Sequence, residues 1–289
     1  MISADETIPH VWVTGANGLI GSHLIHLAKS MAPDWHVRPV VRADFDLTDA
    51  KSVLTAFQKD RPKLIIHCAA MSRSPECQAD PHRAHELNVE VTRFLADMAM
   101  DIRFFFFSTD LVFDGKQGDY VESAEPNPLS VYAETKVLAE RHVLRNPYHT
   151  VVRTSLNAGP SLQGDRGMDE QMLCALRDGK TLNLFTDEFR SPIAAEETAR
   201  AVWGLAKQQV TGIYHVAGAE RLSRWQIGEL LCERYPEYRA QILATSLTTY
   251  QGAPRSPDTS LDCSKAQAVL PFSLPKFSEW WRQPGSDKV

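Results

Sequence analysis

Thr109, Tyr132 and Lys136 are side chains that together can move a proton onto a carbonyl oxygen. Tyr132 and Lys136 are four residues apart, which on a helix puts both on one face. A cationic lysine beside a phenol favours the phenolate, lowering a pKa that is about 10 when unperturbed. Such a tyrosine exchanges a proton near neutral pH, and the Thr109 hydroxyl is placed to hold a substrate oxygen beside it. This is equipment for reducing a ketone or oxidising an alcohol. On its own the Tyr/Lys spacing also fits an amphipathic helix with two exposed polar residues, and the chemistry requires a source of hydride.

A hydride carrier is suggested near the start of the chain. The β-rich run His10-Val-Trp-Val-Thr14 enters Gly15-Ala-Asn-Gly18-Leu-Ile-Gly21 directly, and apolar residues then recur with helical spacing. Glycines at 15, 18 and 21 between a strand and a helix leave room for pyrophosphate at the helix N-terminus, with Asn17, Leu19 and Ile20 completing the loop. The plainer reading is a tight strand-to-helix turn. A second strand, Val37 to Val41, follows. About 20 residues past the glycines, where NAD-binding chains carry an acid, stands Arg42, with Arg38 close by. A guanidinium suits a 2′-phosphate, so NADP(H) is expected over NAD(H), although Asp44 is near and Arg42 also reads as a solvated strand-end charge. Asp46 and Leu47 lie where a side chain reaches an adenine. A third strand, Leu64 to Cys68, closes in Ala69 and Ala70, which let a ligand approach the backbone.

These groups need elements to position them. Phe104 to Phe107 reads as a buried strand, ending in Ser108-Thr109-Asp110 where it meets a cleft. A turn-rich stretch with Gly115, Gly118, Pro126 and Pro128 follows, and Ser130 caps the helix that carries Tyr132 and Lys136. One helix is predicted from about Pro81 to Met100, with Asn88 interrupting its apolar stripe. Thr150 to Thr154 is a further strand, after which Asn157-Ala-Gly-Pro160 breaks the pattern. A helix over Met168–Arg177, a strand over Leu182–Phe185, a helix over Glu196–Ala206 and a strand over Ile213–Val216 come next. Arg190 is read as a loop residue, either pairing with substrate phosphate or a surface charge. Trp225, Trp280 and Trp281 read as core or rim packing. The whole is an α/β chain: a Rossmann-type doubly wound parallel sheet with a smaller C-terminal substrate-binding lobe. Residues 1–155, with returning segments at about 190–217, are assigned to the nucleotide domain; 156–189 and 218–289 are assigned to the lobe.

The 289 residues are 43% hydrophobic and 23% charged, the composition of a globular protein with a sizeable core. A formal net charge of −5 with no long basic run leaves no electrostatic footprint for nucleic acid or an anionic membrane. No stretch approaches the length of a transmembrane helix. Cys68, Cys77, Cys174, Cys232 and Cys263 are odd in number and form no CxxC pair, which disfavours a disulfide framework or a zinc knuckle. The first ten residues carry Asp5, Glu6 and Pro9 and no apolar run, so no signal peptide is read and the expected compartment is the cytoplasm.

The glycine loop, the Ser108-Thr109-Asp110 strand end and the Tyr132/Lys136 pair resemble those of an extended short-chain dehydrogenase/reductase. More narrowly, Ser-Thr-Asp-Leu-Val-Phe-Asp-Gly (108–115) followed by Asn-Pro-Leu-Ser-Val-Tyr-Ala-Glu-Thr-Lys (127–136) is similar to the dTDP-4-dehydrorhamnose reductase family. The likeness continues more loosely through 152–154, 186–192, 212–216 and 261–265. It implies that NADPH delivers hydride to C4 of a nucleotide-linked 4-keto-6-deoxy sugar and that Tyr132 donates the proton. Lys136 would lower the phenol's pKa and hold the nicotinamide ribose, and Thr109, with Ser108 in support, would bond the carbonyl. A homodimer through helices flanking the active site would also fit. The loop departs from the family's usual Gln at Leu19. The acidic residues that hold magnesium in some of these reductases have no clear counterpart, so no metal is expected.

Two other readings stand beside this one. A nucleotide-sugar 4-epimerase uses the same fold and pair, whereas a 4,6-dehydratase carries Asp-Glu after the active-site Thr, and here Asp110 is followed by Leu111, which transfers no proton. The methionine adenosyltransferase beta subunit resembles the same family yet serves as a regulatory partner.

Overall fold

The computed structural model describes residues 8–285, so Asp5 and Glu6, on which the reading of the leader rests, lie outside the described residues. Strands β1 (His10–Thr14), β2 (His36–Val40), β3 (Leu64–His67), β4 (Arg103–Thr109) and β5 (Thr150–Thr154) form a sheet with an edge strand, Gly212–Val216. Every pairing is parallel, and the order is β2-β1-β3-β4-β5 followed by the edge strand. The order reverses between β1 and β3, and in open α/β sheets ligands bind outside the carboxyl ends of the strands at such a point.

Both faces of the sheet are covered, which explains the near-continuous apolar strands. With the two-residue period of a strand, Val11, Val13, Leu64, Ile66, Phe105, Phe107 and Val152 enter one core. Trp12, Ile65, Phe104, Phe106 and Val151 enter the other. The first core is closed by α1 (Leu19–Met31), the helix Ala195–Lys207 and the returning residues Ala266, Leu270 and Leu274. The second is closed by α2 (Ala50–Asp60) and the helices Val91–Met98 and Val131–Val143. Tyr132 and Lys136 therefore stand on the second face, above β4.

A separate apolar cluster joins Met168, Met172, Leu173 and Leu176 to Leu184, Leu231 and Ile242. Trp280 and Trp281 are buried in this cluster, with Trp225 against its margin. The helix predicted over 81–100 is divided: Pro81–His85 and Val91–Met98 flank a π-helical turn, Glu86–Glu90, and that turn carries the buried Asn88. Among the described residues no helix is long and apolar enough to cross a membrane.

Candidate active site and cofactor loop

The parity that sends Phe104 and Phe106 of β4 into the second core sends Ser108 the same way. Ser108 and Thr109 continue the strand rather than ending it, and both are buried. Thr109 Oγ1 donates to Asp110 Oδ1 at 3.1 Å and accepts from the Leu111 N–H at 3.2 Å, holding the short 3-10 turn that follows. Across from this strand end the helix Val131–Val143 starts at Ser130, whose Oγ accepts from the Ala133 N–H at 3.3 Å. This N-cap fixes the turn that bears Tyr132, with Lys136 one turn further on.

The electrostatics depart from the sequence expectation. Burial pushes the Tyr132 phenol above its ordinary value, and Asp110 and Cys77 push the same way while the Thr109 hydroxyl opposes them. Lys136 does not lower it. The lysine is 3% exposed, and its ammonium lies 4.1 Å from the centre of the Phe106 ring. Burial pulls the lysine itself down to about 8, against the opposing influence of Glu140, Cys68 and Cys77. Desolvation of both groups outweighs the pairwise attraction that the four-residue spacing promised. The phenol is therefore a protonated donor at neutral pH.

Contacts distant in sequence hold this pair. Asn88 Oδ1 accepts from the Met71 N–H at 2.8 Å, and its Nδ2 donates to the Met71 carbonyl and to Thr135 Oγ1, both at 3.0 Å. The π turn thus ties the chain beyond β3 to the helix Val131–Val143. One turn past Lys136, Glu140 accepts from Arg153 Nε at 2.9 Å and Nη2 at 2.7 Å, with both residues buried. Asp110, also buried, accepts from Ser155 Oγ at 2.9 Å and Thr259 Oγ1 at 2.8 Å. Nothing local in the sequence marks Ser155 or Thr259, which lie 45 and 149 residues from Asp110.

The glycine loop occupies the switch point. Gly15 has φ +65°, and a Cβ on it would lie 2.7 Å from the Ala69 nitrogen; one on Gly21 would lie 2.3 Å from the Gly15 oxygen. Thr14 Oγ1 bonds His67 Nδ1 at 2.7 Å and accepts from the Ala69 N–H at 3.4 Å, and the Cys68 N–H reaches the Thr14 carbonyl at 3.3 Å. These contacts lock the ends of β1 and β3 together. Gly18 is the N-cap of α1 and provides no side-chain cap, and the first turn has no acidic residue. The N–H groups there are left for an anion. Asn17, Gly18 and Ala70 are exposed, and Leu19, Ile20, Cys68 and Ala69 are half-buried.

At the end of β2, Arg38 turns inward to Asp60, beneath the rings of Trp12 and Phe45. Arg42 remains outside, 83% exposed and 3.6 Å from Asp46. Asp44 Oδ2 turns back onto the Val41 N–H, and Asp46 Oδ1 accepts from the Thr48 N–H and hydroxyl. Leu47 packs at the margin of the second core. Ser108 Oγ is buried with no hydrogen-bond partner among the described residues, so a donor or acceptor from a ligand would satisfy it. The close-pressed loop, the open helix terminus, the exposed Arg42 and this orphan hydroxyl fit NADP(H).

Arg190 is not the loop residue expected. It lies in a two-residue strand, Phe189–Arg190, paired antiparallel with Leu222–Ser223, and is buried. Its Nη1 donates to the Ser256 carbonyl and its Nη2 to Glu188 Oε1, both at 3.0 Å, and its Nε is 3.7 Å from Asp110. A charge so engaged is neither solvated nor free for a phosphate. Glu188, two residues earlier in the chain, neutralises it.

A family model described as the RmlD substrate binding domain matches residues 9–283. The chain belongs to that family. Among curated relatives, a probable low-salt glycan biosynthesis reductase, Agl14, of Haloferax volcanii is 31% identical, covering 93% of this chain and 95% of its own. The methionine adenosyltransferase 2 subunit beta of Xenopus tropicalis is 29% identical over 93% of this chain and 85% of its own. Among solved structures, the dTDP-4-dehydrorhamnose reductase of Bacillus anthracis in complex with NADP superposes with a TM-score of 0.84 at 22% identity, over 94% of this chain and 96% of that one. Family and fold agree: the RmlD-family chain has the Rossmann-type α/β fold of that NADP-bound reductase.

Proposed function

We propose that this RmlD-family protein is an NADPH-dependent reductase of a nucleotide-linked 4-keto-6-deoxy sugar. The observation that carries the reading is the Tyr132 phenol beside Thr109, at the carboxyl end of the sheet that also holds the glycine loop. Bound NADPH supplies the hydride to C4. The Thr109 hydroxyl holds the C4 oxygen, and Tyr132 gives that oxygen its proton, to be replaced from solvent. Lys136, charged below about 8, holds the nicotinamide ribose beside the phenol. Gly15, Asn17, Gly18, Leu19, Ile20 and Gly21 hold the pyrophosphate, and Arg42 takes the 2′-phosphate. Asp46 and Leu47 flank the adenine. Cys68, Ala69, Ala70 and Ser108 border the nicotinamide half.

The test is incubation with a nucleotide-linked 4-keto-6-deoxy sugar and NADPH deuterated at C4. One deuterium at sugar C4 per NADPH consumed supports the reductase. Interconversion of 4-epimers without net consumption would instead establish an epimerase. The likeness to a methionine adenosyltransferase subunit favours a second reading, a cofactor-binding regulatory partner. Stoichiometric co-purification with another enzyme, together with inactivity on every ketosugar, would select it.

A further inference from the structure

Past the carboxyl end of β5 the chain forms a loop, 159–167, that closes on itself. Asp169 Oδ1 accepts from the Gly159 N–H at 2.9 Å. Glu170 accepts from the N–H groups of Ser161 at 2.8 Å, Arg166 at 3.0 Å and Gly167 at 2.8 Å, and from Ser161 Oγ at 2.6 Å. A Cβ on Gly167 would lie 2.4 Å from the Gly159 oxygen, so the two ends touch. The first turn of the helix Met168–Arg177 thus pins a compact surface loop whose ends meet, a construction that often carries function.

Two contacts reach out from this loop, one toward each face of the sheet. On the first face, His23 Nε2 of α1 bonds the Pro160 carbonyl at 2.9 Å; a carbonyl only accepts, so this nitrogen carries the hydrogen. Toward the second face, Arg73 Nη2 lies 3.6 Å from Asp165 Oδ2. Arg73 follows β3 and precedes the helix Ser74–Ala79, which packs against Val131–Val143. A loop that touches α1 on one face and the chain beyond β3 on the other lies across the carboxyl edge of the sheet between them. At that edge β1 and β3 are neighbours, and the glycine loop stands at their ends with Gly15 against Ala69. The tip residues Leu162, Gln163 and Gly164 are exposed.

We propose that this loop is a gate over the cofactor cleft, latched by Arg73 and Asp165, which must part for NADP(H) to enter or leave. The cofactor's place rests on the reading of residues 15–21 as its binding loop; the latch itself does not. Of the two anchors the latch is the weaker. Its side chains are 48% and 42% exposed, an ion pair that opens readily, whereas His23 is buried. Each charge has a second partner at 3.3 Å, Glu76 for Arg73 and Arg166 for Asp165, so opening strands neither. Loosening a latch that holds the loop, and not the cofactor, speeds passage in both directions and leaves affinity alone.

The test is stopped-flow fluorescence of NADPH association and dissociation for wild type, Asp165→Asn, Arg73→Gln and the double variant. Each single variant is expected to raise both rates together by about threefold, the factor within reach of a partly exposed ion pair, with Kd unchanged. The double variant is expected to be no faster than either single, because both remove one contact. Faster dissociation alone, with affinity lost in proportion, would make the pair a cofactor contact and overturn the gate. Rates unchanged in all three variants would also overturn it. If Arg73→Gln disturbs the helix Ser74–Ala79 that it precedes, Asp165→Asn decides. Wild type that binds neither NADPH nor NADH overturns the gate together with the cofactor reading. Faster exchange in variants of a protein inactive on ketosugars would remove the reductase reading and leave the gate; unchanged exchange in an active reductase would do the reverse.

Discussion

The Lys136 ammonium rests 4.1 Å from the centre of the Phe106 ring, two residues ahead of Ser108 on the same face of β4. The lysine is thus committed to the sheet: its cation is held by an aromatic face in a desolvated place.

A pH dependence follows. Lys136 is held below its ordinary value of 10.5, at about 8, so it is charged below that pH and neutral above it. Tyr132 is raised and stays protonated throughout this range. Ketone reduction, read as kcat/KM, is expected to fall as pH rises through about 8. Lys136→Met should be slow at every pH and lack that limb. Because the folded value is the lower one, burying the charge costs stability below about 8, and that cost fades as pH rises. Lys136→Met should accordingly melt higher than wild type at pH 7. A rate that stays flat to pH 10 would contradict this account of Lys136.

Arg42 is the exposed guanidinium just past β2, 3.6 Å from Asp46, whereas Arg38 is engaged by Asp60. Arg42→Ala is expected to weaken NADPH binding by about tenfold and leave NADH binding unchanged, the modest effect of an exposed charge meeting a phosphate. Fluorescence titration with both cofactors measures it. NADH binding as tightly as NADPH, with neither altered by the substitution, would remove Arg42 from the site.

Glu140, on the helix that bears Tyr132, and Arg153 of β5 form a buried two-point ion pair. Removing one partner strands the other, so Glu140→Gln is expected to cost about 3–5 kcal/mol in urea unfolding. Glu140→Leu with Arg153→Met should recover much of that loss. A cost below about 1 kcal/mol for the single variant would show that water or rearrangement answers the stranded charge.

The frame of this protein is legible in the sequence because its signals are local. Four consecutive phenylalanines read as a strand buried on both faces, and Ser130 before Tyr132 marks a helix start that the structure places there. Gly15 and Gly21 announce a close approach that their missing Cβ atoms explain. What was not legible depends on contacts across the fold. The rise of Tyr132 comes from burial, which four-residue spacing does not report. Arg190 looked like a loop charge because its partners, Asp110 and the Ser256 carbonyl, come from distant segments. Asn88 looked like an interruption in a helix, and its purpose emerges only from the π turn that aims it at Met71 and Thr135.

The most direct test of the central claim is NADPH consumption over a panel of nucleotide-linked 4-keto-6-deoxy sugars, by wild type and Tyr132→Phe. The expected result is consumption with at least one sugar, falling by about 100-fold or more in the variant, which still binds NADPH. Wild-type rates in Tyr132→Phe, or saturable NADPH binding with no consumption on any sugar, would contradict it.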